Sequence, residues 1–329
     1  MQPVARRFSH YWTIEDVSLE STPMCLLTRA PALAIPSFLV AGSMALLATS
    51  PASATEGFVG MRSLGMGETL RGAATSGEGP LLNPSGMSLS QQYNVEADYQ
   101  YVHPGGNNFL HASIVDSTSG YKVAGGLYYT YHSDSQGGQT SGHTHEVGLA
   151  LSVPLGEHLT IGATGKYFWM AGDLVSEDSS GFTYDVGVTL RPASVFSLGV
   201  VGYNLQDLHA GRVAPLAVGY GAALSPTDFL LIAVDGVTNV NALLPEGRTL
   251  GGTTRVSAGA ELFLAKKAAF RLGGGYDGST RNGFFTVGLS AVSEAGALDF
   301  GLLQDVVQRG DSSRNTILGA SVRLFVPQP

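Results

Sequence analysis

The side chains in this sequence best suited to chemistry are two histidines at alternate positions, His143 and His145. Alternate residues of a strand share one face, so two imidazoles at this spacing are suited to chelating a single metal ion. No third or fourth ligand is identifiable, and a long polar stretch adjoins the pair. The alternative interpretation, solvent-exposed loop histidines, is the one the sequence favours. We therefore predict neither a metal site nor a cofactor.

Other catalytic arrangements find little support. His111 and Ser113 lie two residues apart on one strand face, whereas a hydrolase needs a serine and a histidine on neighbouring elements, with a third group orienting the base. Gly65-Met66-Gly67 is part of no G-x-G-x-x-G motif and follows no strand, which argues against a nucleotide site. We expect a protein without enzymatic activity.

The N-terminal region resembles an export signal. Arg29 supplies positive charge, residues 32–48 are apolar, and Ala52-Ser53-Ala54 fits the small-x-small cleavage rule. The apolar run contains Pro36 and is shorter than the ~20 residues of a spanning helix, so a membrane anchor is the weaker alternative. We predict removal of residues 1–54, with Met24 as an alternative translation start. Cys25, the single cysteine, would leave with the signal.

The composition indicates a membrane protein that spans with strands. Hydrophobic residues make up 44% of the chain, charged residues only 13%, and the net charge is -8. No apolar stretch beyond the signal is long enough for a spanning helix, which leaves a closed barrel as the spanning structure. The acidic balance without clustered Lys and Arg argues against nucleic acid as a partner.

From Tyr93 onward, segments of about ten residues alternate apolar with small or polar side chains, as in a transmembrane barrel. About fourteen such segments follow, an even number, as expected for a bacterial barrel. The connections alternate between short turns and longer polar stretches, among them 132–144 and 170–181. A soluble β-sandwich is the competing fold, but the polar faces are rich in Gly, Ala, Ser and Thr, which suits a crowded lumen. We therefore predict an all-β fold, a transmembrane antiparallel β-barrel of about 14 strands.

The stretch between the signal and the first strand carries a motif. Residues 60–67 read G-x-R-x-x-G-M-G, and Asn83-Pro84-Ser85-Gly86 forms a turn after a Gly/Ala-rich stretch. This pattern resembles the mature N-terminus of the FadL/PorV superfamily of Gram-negative outer-membrane barrels, and residues 195–208 resemble a recurring segment of the PorV-type members. The motif residues are Gly65, Gly67, Asn83, Pro84 and Gly86.

The resemblance implies an N-terminal plug that folds into the barrel lumen. It divides the chain into a plug at 55–92, a barrel at 93–326 and a short tail at 327–329. It also implies a multi-pass protein of the outer membrane, in contact with membrane lipid and lipopolysaccharide.

Charged residues fall at lumen-facing positions of several strands. One interpretation is that they pair with one another and with the plug through Arg62 or Arg71, because isolated charges in a confined interior are costly. The other is a conduit selective by charge. We favour pairing. The residues are Glu96, Asp98, Glu146, Lys166, Asp185, Glu261, Arg271, Asp299 and Arg323.

The resemblance leaves two functions open. FadL-type proteins imply passage of small apolar molecules by a plug-gated route, which needs an apolar ligand pocket between plug and wall. PorV-type proteins imply a closed barrel that docks protein partners in a cell-surface secretion or motility complex, for which the loop 239–250 offers Val240, Leu243, Leu244 and Pro245. We place transport first. The candidate pocket residues are Phe58, Leu64, Met66, Leu70, Leu81, Leu82 and Met87.

Overall fold

A computed structural model describes residues 57–119, 123–136, 139–172, 179–206, 214–240, 242–243, 249–250, 253–306 and 314–326. The expected export signal, with Cys25, and the expected tail lie outside these residues.

Fourteen antiparallel strands form a closed barrel, as the alternation predicted. Each barrel strand pairs with the next one along the chain, and β1 pairs with β16 to close the ring. β10 and β11 form a separate two-stranded sheet, so β9 pairs with β12. The strands are β1 (Tyr93–His103), β2 (Asn107–Asp116), β3 (Ala124–Gln136), β4 (Gln139–Pro154), β5 (Leu159–Gly172), β6 (Ser179–Ala193), β7 (Phe196–Tyr203), β8 (Ala217–Thr227), β9 (Leu230–Asn239), β10 (Ala242–Leu243), β11 (Thr249–Leu250), β12 (Thr253–Leu264), β13 (Ala268–Asp277), β14 (Asn282–Val292), β15 (Gly296–Asp305) and β16 (Thr316–Phe325).

The two faces of the wall differ as the two-residue period of a strand requires. Large apolar side chains on the outer face are exposed, and several are more than half exposed, among them Leu149, Leu151, Val234, Phe300 and Leu324. Inner positions carry small and polar residues that are almost fully buried, such as Thr164, Thr183, Thr189 and Ser152. An apolar outer face with a polar interior is the pattern of a barrel surrounded by lipid. Within the described ranges, none of the helices has the length and hydropathy of a bilayer span.

One end of the barrel, which we call the short-turn end, has short connections only. The opposite end has the longest connections, although β1 and β2, β3 and β4, and β13 and β14 are also joined by short ones there. The residues between β4 and β5, β6 and β7, and β8 and β9 are all at the short-turn end, as are the start of β1 and the finish of β16. In outer-membrane barrels the short turns face the periplasm, so the opposite, long-loop end faces outward.

Strands β3 to β6 extend further toward the long-loop end than the sequence predicted. The stretch 132–144 was expected to be a loop, but β3 and β4 pair through most of it, with a register shift at Asp134/Ser135. His143 and His145 therefore lie in β4 rather than in a loop. The prediction failed because it ended each strand where the apolar alternation ended, whereas backbone hydrogen bonding continues beyond the lipid-facing band.

The residues ahead of β1 form short helical turns. α1 (Met61–Gly65) and α2 (Gly79–Leu82) are accompanied by 3₁₀ helices at Ser76–Glu78 and Pro84–Leu89. We call residues 57–92 the N-terminal segment. α1 packs against β13 to β16, and the second 3₁₀ helix packs against β3 to β6. The segment thus contacts the inner face on both sides of the barrel.

Candidate functional site

Glycines at inner positions of the wall allow the backbone of the N-terminal segment to approach closely. A Cβ atom on Gly259 would lie 2.1 Å from the Met66 carbonyl oxygen, and one on Gly199 would lie 2.1 Å from that of Arg71. Real Cβ atoms do not approach other atoms so closely, so side chains at these positions would displace the segment. Similar contacts with the segment occur at Gly126, Gly162, Gly187, Gly273, Gly288, Gly301 and Gly319. We call these residues the glycine row.

The Asn83-Pro84-Ser85-Gly86 motif begins the second 3₁₀ helix, with Asn83 as its N-cap. The Asn83 amide donates to the Arg71 carbonyl at 2.8 Å and to Thr189 Oγ1 at 3.2 Å, and Asn83 Oδ1 accepts from Ser85 Oγ at 2.7 Å. Ser152 Oγ donates to the Ser85 carbonyl at 3.0 Å. These uncharged contacts, together with Gly162 and Gly187 beneath them, form what we call the neutral dock.

The other motif glycines serve close packing. A Cβ on Gly65 would lie 2.8 Å from Gly288 Cα, and one on Gly86 would lie 2.1 Å from the Ala74 carbonyl oxygen. Gly67 has φ +76, a left-handed conformation that glycine adopts without strain, and it lies beside Gly274. Pro84 occupies the first turn of its helix, where a missing N–H costs nothing.

Charges of alternating sign run across β1, β16, β15, β13 and β12 and end on α1. Arg323 contacts Glu96 at 2.9 Å and Asp299 at 3.7 Å. Arg271 contacts Asp299 at 3.0 Å and Glu261 at 2.7 Å, and Glu261 also binds Arg62 at 2.7 Å. We call these six residues the charge ladder. Each inner member has an opposite charge on both sides, which offsets the cost of burying it.

Glu78 lies next to the charge ladder and is fully buried. Its Oε1 accepts the Ser63 backbone N–H at 2.7 Å, and its Oε2 has no hydrogen-bond partner among the described residues. Burial raises the pKa of Glu78 to about 7; Arg62 opposes the shift and Glu96 adds to it. Glu78 is therefore partly protonated near neutral pH, in contrast to an exposed glutamate.

The remaining predicted lumen charges lie outside the charge ladder, on β4 to β6 and on β1. Lys166 pairs with Asp185 at 2.8 Å and donates to Asn204 Oδ1 at 2.7 Å. Glu146 accepts a hydrogen bond from the Tyr128 hydroxyl. Asp98 is buried on β1, and its Oδ1 has no hydrogen-bond partner in the part of the chain that the structure describes.

Arg71 binds a residue that the sequence analysis missed. Its backbone N–H donates to Asp235 Oδ2 at 2.8 Å, and its guanidinium contacts the same oxygen at 3.1 Å. Arg71 Nε also donates to the Tyr203 hydroxyl at 2.9 Å. The alternation of β9 would have found Asp235, since it lies on the inner face between outward-facing apolar residues. Glu78 could not be found this way, because the N-terminal segment has no period.

The candidate ligand-pocket residues are distributed among packed apolar clusters. Phe58 and Leu64 lie in a cluster toward the long-loop end, with Phe109, Phe284 and Leu303. Met66, Leu70 and Leu82 pack against β8 and β9, and Met87 packs against β2 to β4. Leu81 is only partly buried. None of the seven lines the cavity described next, and their role as a ligand pocket stays a prediction.

A cavity of about 130 Å³ lies at the short-turn end, between the N-terminal segment and the wall. One side is formed by the charge ladder from Arg62 to Arg323, without Glu96. The other side carries apolar and aromatic residues, interspersed with polar ones such as Arg191, Ser197 and Asp228. The apolar residues are Val195, Phe196, Phe229, Leu231 and Phe263. No sequence pattern predicted this cavity, since its aromatic residues are distant in sequence and are brought together by the pairing of β7, β8, β9 and β12.

The loop expected to offer a protein-docking anchor is described only in part. Val240 is exposed, and the backbone of Leu243 belongs to β10. Leu244 and Pro245 lie outside the described residues. Docking through this loop stays a prediction.

Solved structures with the same fold are outer-membrane channels. The chain is similar to the CymD monoaromatic hydrocarbon channel, with 13% identity and a TM-score of 0.59 over 81% of this chain and 98% of that one. It is similar to the Pseudomonas putida toluene transporter TodX, with 12% identity and a TM-score of 0.60 over 82% and 98%. A Pseudomonas aeruginosa FadL homologue matches with 10% identity and a TM-score of 0.55 over 81% and 97%.

No protein-family model and no curated protein matches the sequence. The structural likeness confirms the fold that the motif resemblance implied, a FadL-type barrel of 14 strands. With its apolar outer face, this fold makes the chain a multi-pass protein of the outer membrane.

Proposed function

We propose that this chain, which has the fold of the FadL-type outer-membrane channels, carries small hydrophobic molecules across the outer membrane, and that its N-terminal segment gates the passage. The structures that resemble it include a monoaromatic hydrocarbon channel and a toluene transporter, which supports a hydrophobic cargo. An enzymatic role has no support from these relatives in fold.

The observation that carries the proposal is the cavity at the short-turn end. Its volume of about 130 Å³ is close to the ~150 Å³ of an engineered apolar cavity that binds benzene, so it fits a molecule of one ring rather than a long acyl chain. Phe196, Phe229 and Phe263 give it an aromatic side on which such a molecule can pack. The N-terminal segment, docked around the wall, separates this cavity from the long-loop end.

Gating follows from how the segment is held. Its contacts with the wall are hydrogen bonds, ion pairs and packing, so it can leave without breaking the hydrogen bonds between barrel strands. Because the barrel is closed by hydrogen bonds between its own strands, it keeps its shape when the segment moves.

Filling the cavity tests the transport proposal. Ser197 on β7 lines the cavity, and its neighbour Leu198 faces lipid. We expect Ser197→Trp to reduce uptake of labelled toluene by intact cells, in a strain lacking its own hydrocarbon channels, to the level of cells without this protein. The matched variant Leu198→Trp keeps uptake, because the same side chain then lies in the membrane. Equal uptake by both variants would contradict passage through this cavity.

A closed docking barrel is the second candidate, and the tight fit at the glycine row favours it. A segment whose backbone packs against many strands of the wall can also block the lumen permanently. In that case no variant of the lumen would change toluene uptake, since the starting uptake would equal that of cells without the protein. A partner protein retained in stoichiometric amount after mild detergent extraction would then support docking.

A further inference from the structure

Aromatic and imidazole rings form a patch on the outer face of β3, β4 and β5, near the long-loop end. Tyr131, His145 and Trp169 are direct partners across the three strands. The His145 ring stacks on Trp169 at a centroid distance of 4.7 Å and an angle of 9°. The patch lies on the same face of β4 as the lipid-facing residue Val147, nearer the long-loop end. This position places it at the rim of the membrane. Its rings belong to Tyr129, Tyr131, His143, His145, Tyr167 and Trp169.

We propose that His143 and His145 form a surface binding site for one divalent transition-metal ion. The two residues alternate along β4 and present their imidazoles on the same outer face, partly exposed to solvent. This goes beyond the transport function, since the site lies on the outside of the wall and shares no residue with the lumen cavity.

The separation of the two rings fits chelation. Their centroids lie 5.2 Å apart. With metal–nitrogen bonds of about 2.0–2.1 Å, the ion lies about 3.2 Å from each centroid, so ligand angles of about 90–110° require centroids about 4.5–5.2 Å apart. The observed spacing lies at the tetrahedral end of this range, so the distance between the two rings is compatible with both histidines binding one ion.

Tyr129 provides the hydrogen bond that orients a metal-binding histidine through its second ring nitrogen. Its hydroxyl lies 2.7 Å from His145 Nδ1. When Nδ1 donates its proton to this oxygen, the lone pair of Nε2 is left free for a metal ion. The stack on Trp169 fixes the plane of the same ring. Tyr129 and Trp169 are thus positioning residues.

The chemistry of the site selects the ion. Imidazole nitrogen suits Zn²⁺, Cu²⁺ and Ni²⁺, whereas Mg²⁺ and Ca²⁺ prefer oxygen ligands. Across the described ranges, no group of three or more His, Cys, Asp or Glu side chains is arranged to hold a metal. The site therefore has two protein ligands, with water in the remaining positions, and Cu²⁺ should bind most tightly.

Trp169 is a built-in reporter for this proposal. The chain has two tryptophans, and the other, Trp12, lies in the expected export signal. In the mature protein without a polyhistidine tag, we expect Cu²⁺ to quench Trp169 fluorescence saturably at one equivalent, and a large excess of the more weakly bound Zn²⁺ to restore the fluorescence by displacing it. Lowering the pH should weaken binding, because protons compete for the imidazoles.

Variants distinguish this site from adventitious binding. We expect His143→Gln and His145→Gln each to weaken Cu²⁺ binding by about tenfold or more, since each removes one of two ligands. The matched variant His103→Gln, also exposed at the long-loop end, should bind as the unchanged protein does. Calorimetry provides a second readout, because His145→Gln also alters the surroundings of Trp169. Quenching that does not saturate, or binding unchanged in His143→Gln, would overturn the proposal.

Discussion

The N-terminal segment is held by two regions that work differently, the charge ladder and the neutral dock. In the ladder, five of the six charges belong to the wall and only Arg62 belongs to the segment. In the dock, the segment contributes its backbone and Asn83, pressed against Gly162 and Gly187. Releasing Arg62 from the ladder breaks one terminal ion pair, whereas releasing Asn83 from the dock breaks both its hydrogen bonds and its close packing. Residues 61–67 are in addition packed against Gly259, Gly273, Gly288, Gly301 and Gly319.

This difference bears on the gating proposed above. Under the gating proposed above, we expect the part around α1 to release first, because Glu261 keeps its contact with Arg271 after Arg62 departs. We expect the part around Asn83 to remain in place as the anchor. The ladder then mainly stabilises the barrel wall, and the dock holds the segment.

Removing an inner member of the ladder should have the largest effect. In Arg271→Met, Glu261 and Asp299 lose the cation between them while they stay buried. We expect the barrel to lose about 3–5 kcal/mol of unfolding free energy, as for a broken buried ion pair. Urea unfolding in detergent micelles measures this loss. An unchanged midpoint would mean that water already solvates these carboxylates.

Disturbing the dock should release the segment without unfolding the wall. In Gly187→Ala the new Cβ would lie 2.0 Å from Asn83 Oδ1. We expect a cost of about 1–3 kcal/mol, typical of overpacking, localised to residues 83–90. Hydrogen exchange of these amides should speed up while the strands stay protected. Gly125→Ala is the matched control, since its Cβ meets only Leu151 at an ordinary 3.9 Å.

Glu78 should make the stability of the docked N-terminal segment depend on pH. Its folded pKa of about 7 lies above the ordinary glutamate value, so the unfolded chain ionises first as the pH rises. The stability of the segment should therefore fall between about pH 4.5 and 7 and stay low above that range. We expect Glu78→Gln to remove this fall, so that the segment is more stable in the variant than in the unchanged protein at pH 8 but not at pH 4. Parallel curves for the two proteins would contradict the assignment.

Removing the terminal member of the ladder should have the smallest effect. Arg62→Met leaves Glu261 paired with Arg271, and the side chain of Arg62 is itself partly exposed. We expect a loss of about 1 kcal/mol or less in barrel stability, as for a partly solvated pair. A loss as large as that of Arg271→Met would show that the segment and the wall unfold as one unit.

The sequence predicted the barrel because a strand repeats every two residues and the lipid demands an apolar outer face. It predicted Arg62 as a partner of lumen charges because an isolated charge in the interior is costly. It missed the cavity, since Phe196, Phe229 and Phe263 are distant in sequence and meet only when β7, β8, β9 and β12 pair. It ended the loop at residue 144 and interpreted His143 and His145 as loop histidines, because hydrogen bonding between β3 and β4 leaves no mark in hydropathy.

The most direct test of the account is to lock the two regions separately with disulfides. A Cβ on Gly301 would lie 3.5 Å from the Leu64 Cβ, within the range for a disulfide, so Leu64→Cys with Gly301→Cys locks α1 to β15. Ser85→Cys with Thr189→Cys locks the dock, where the hydroxyl oxygens are 2.7 Å apart. We predict that oxidising the first pair stops toluene uptake until a reductant is added, whereas oxidising the second leaves uptake unchanged. Full uptake with α1 locked would contradict a passage gated by the N-terminal segment.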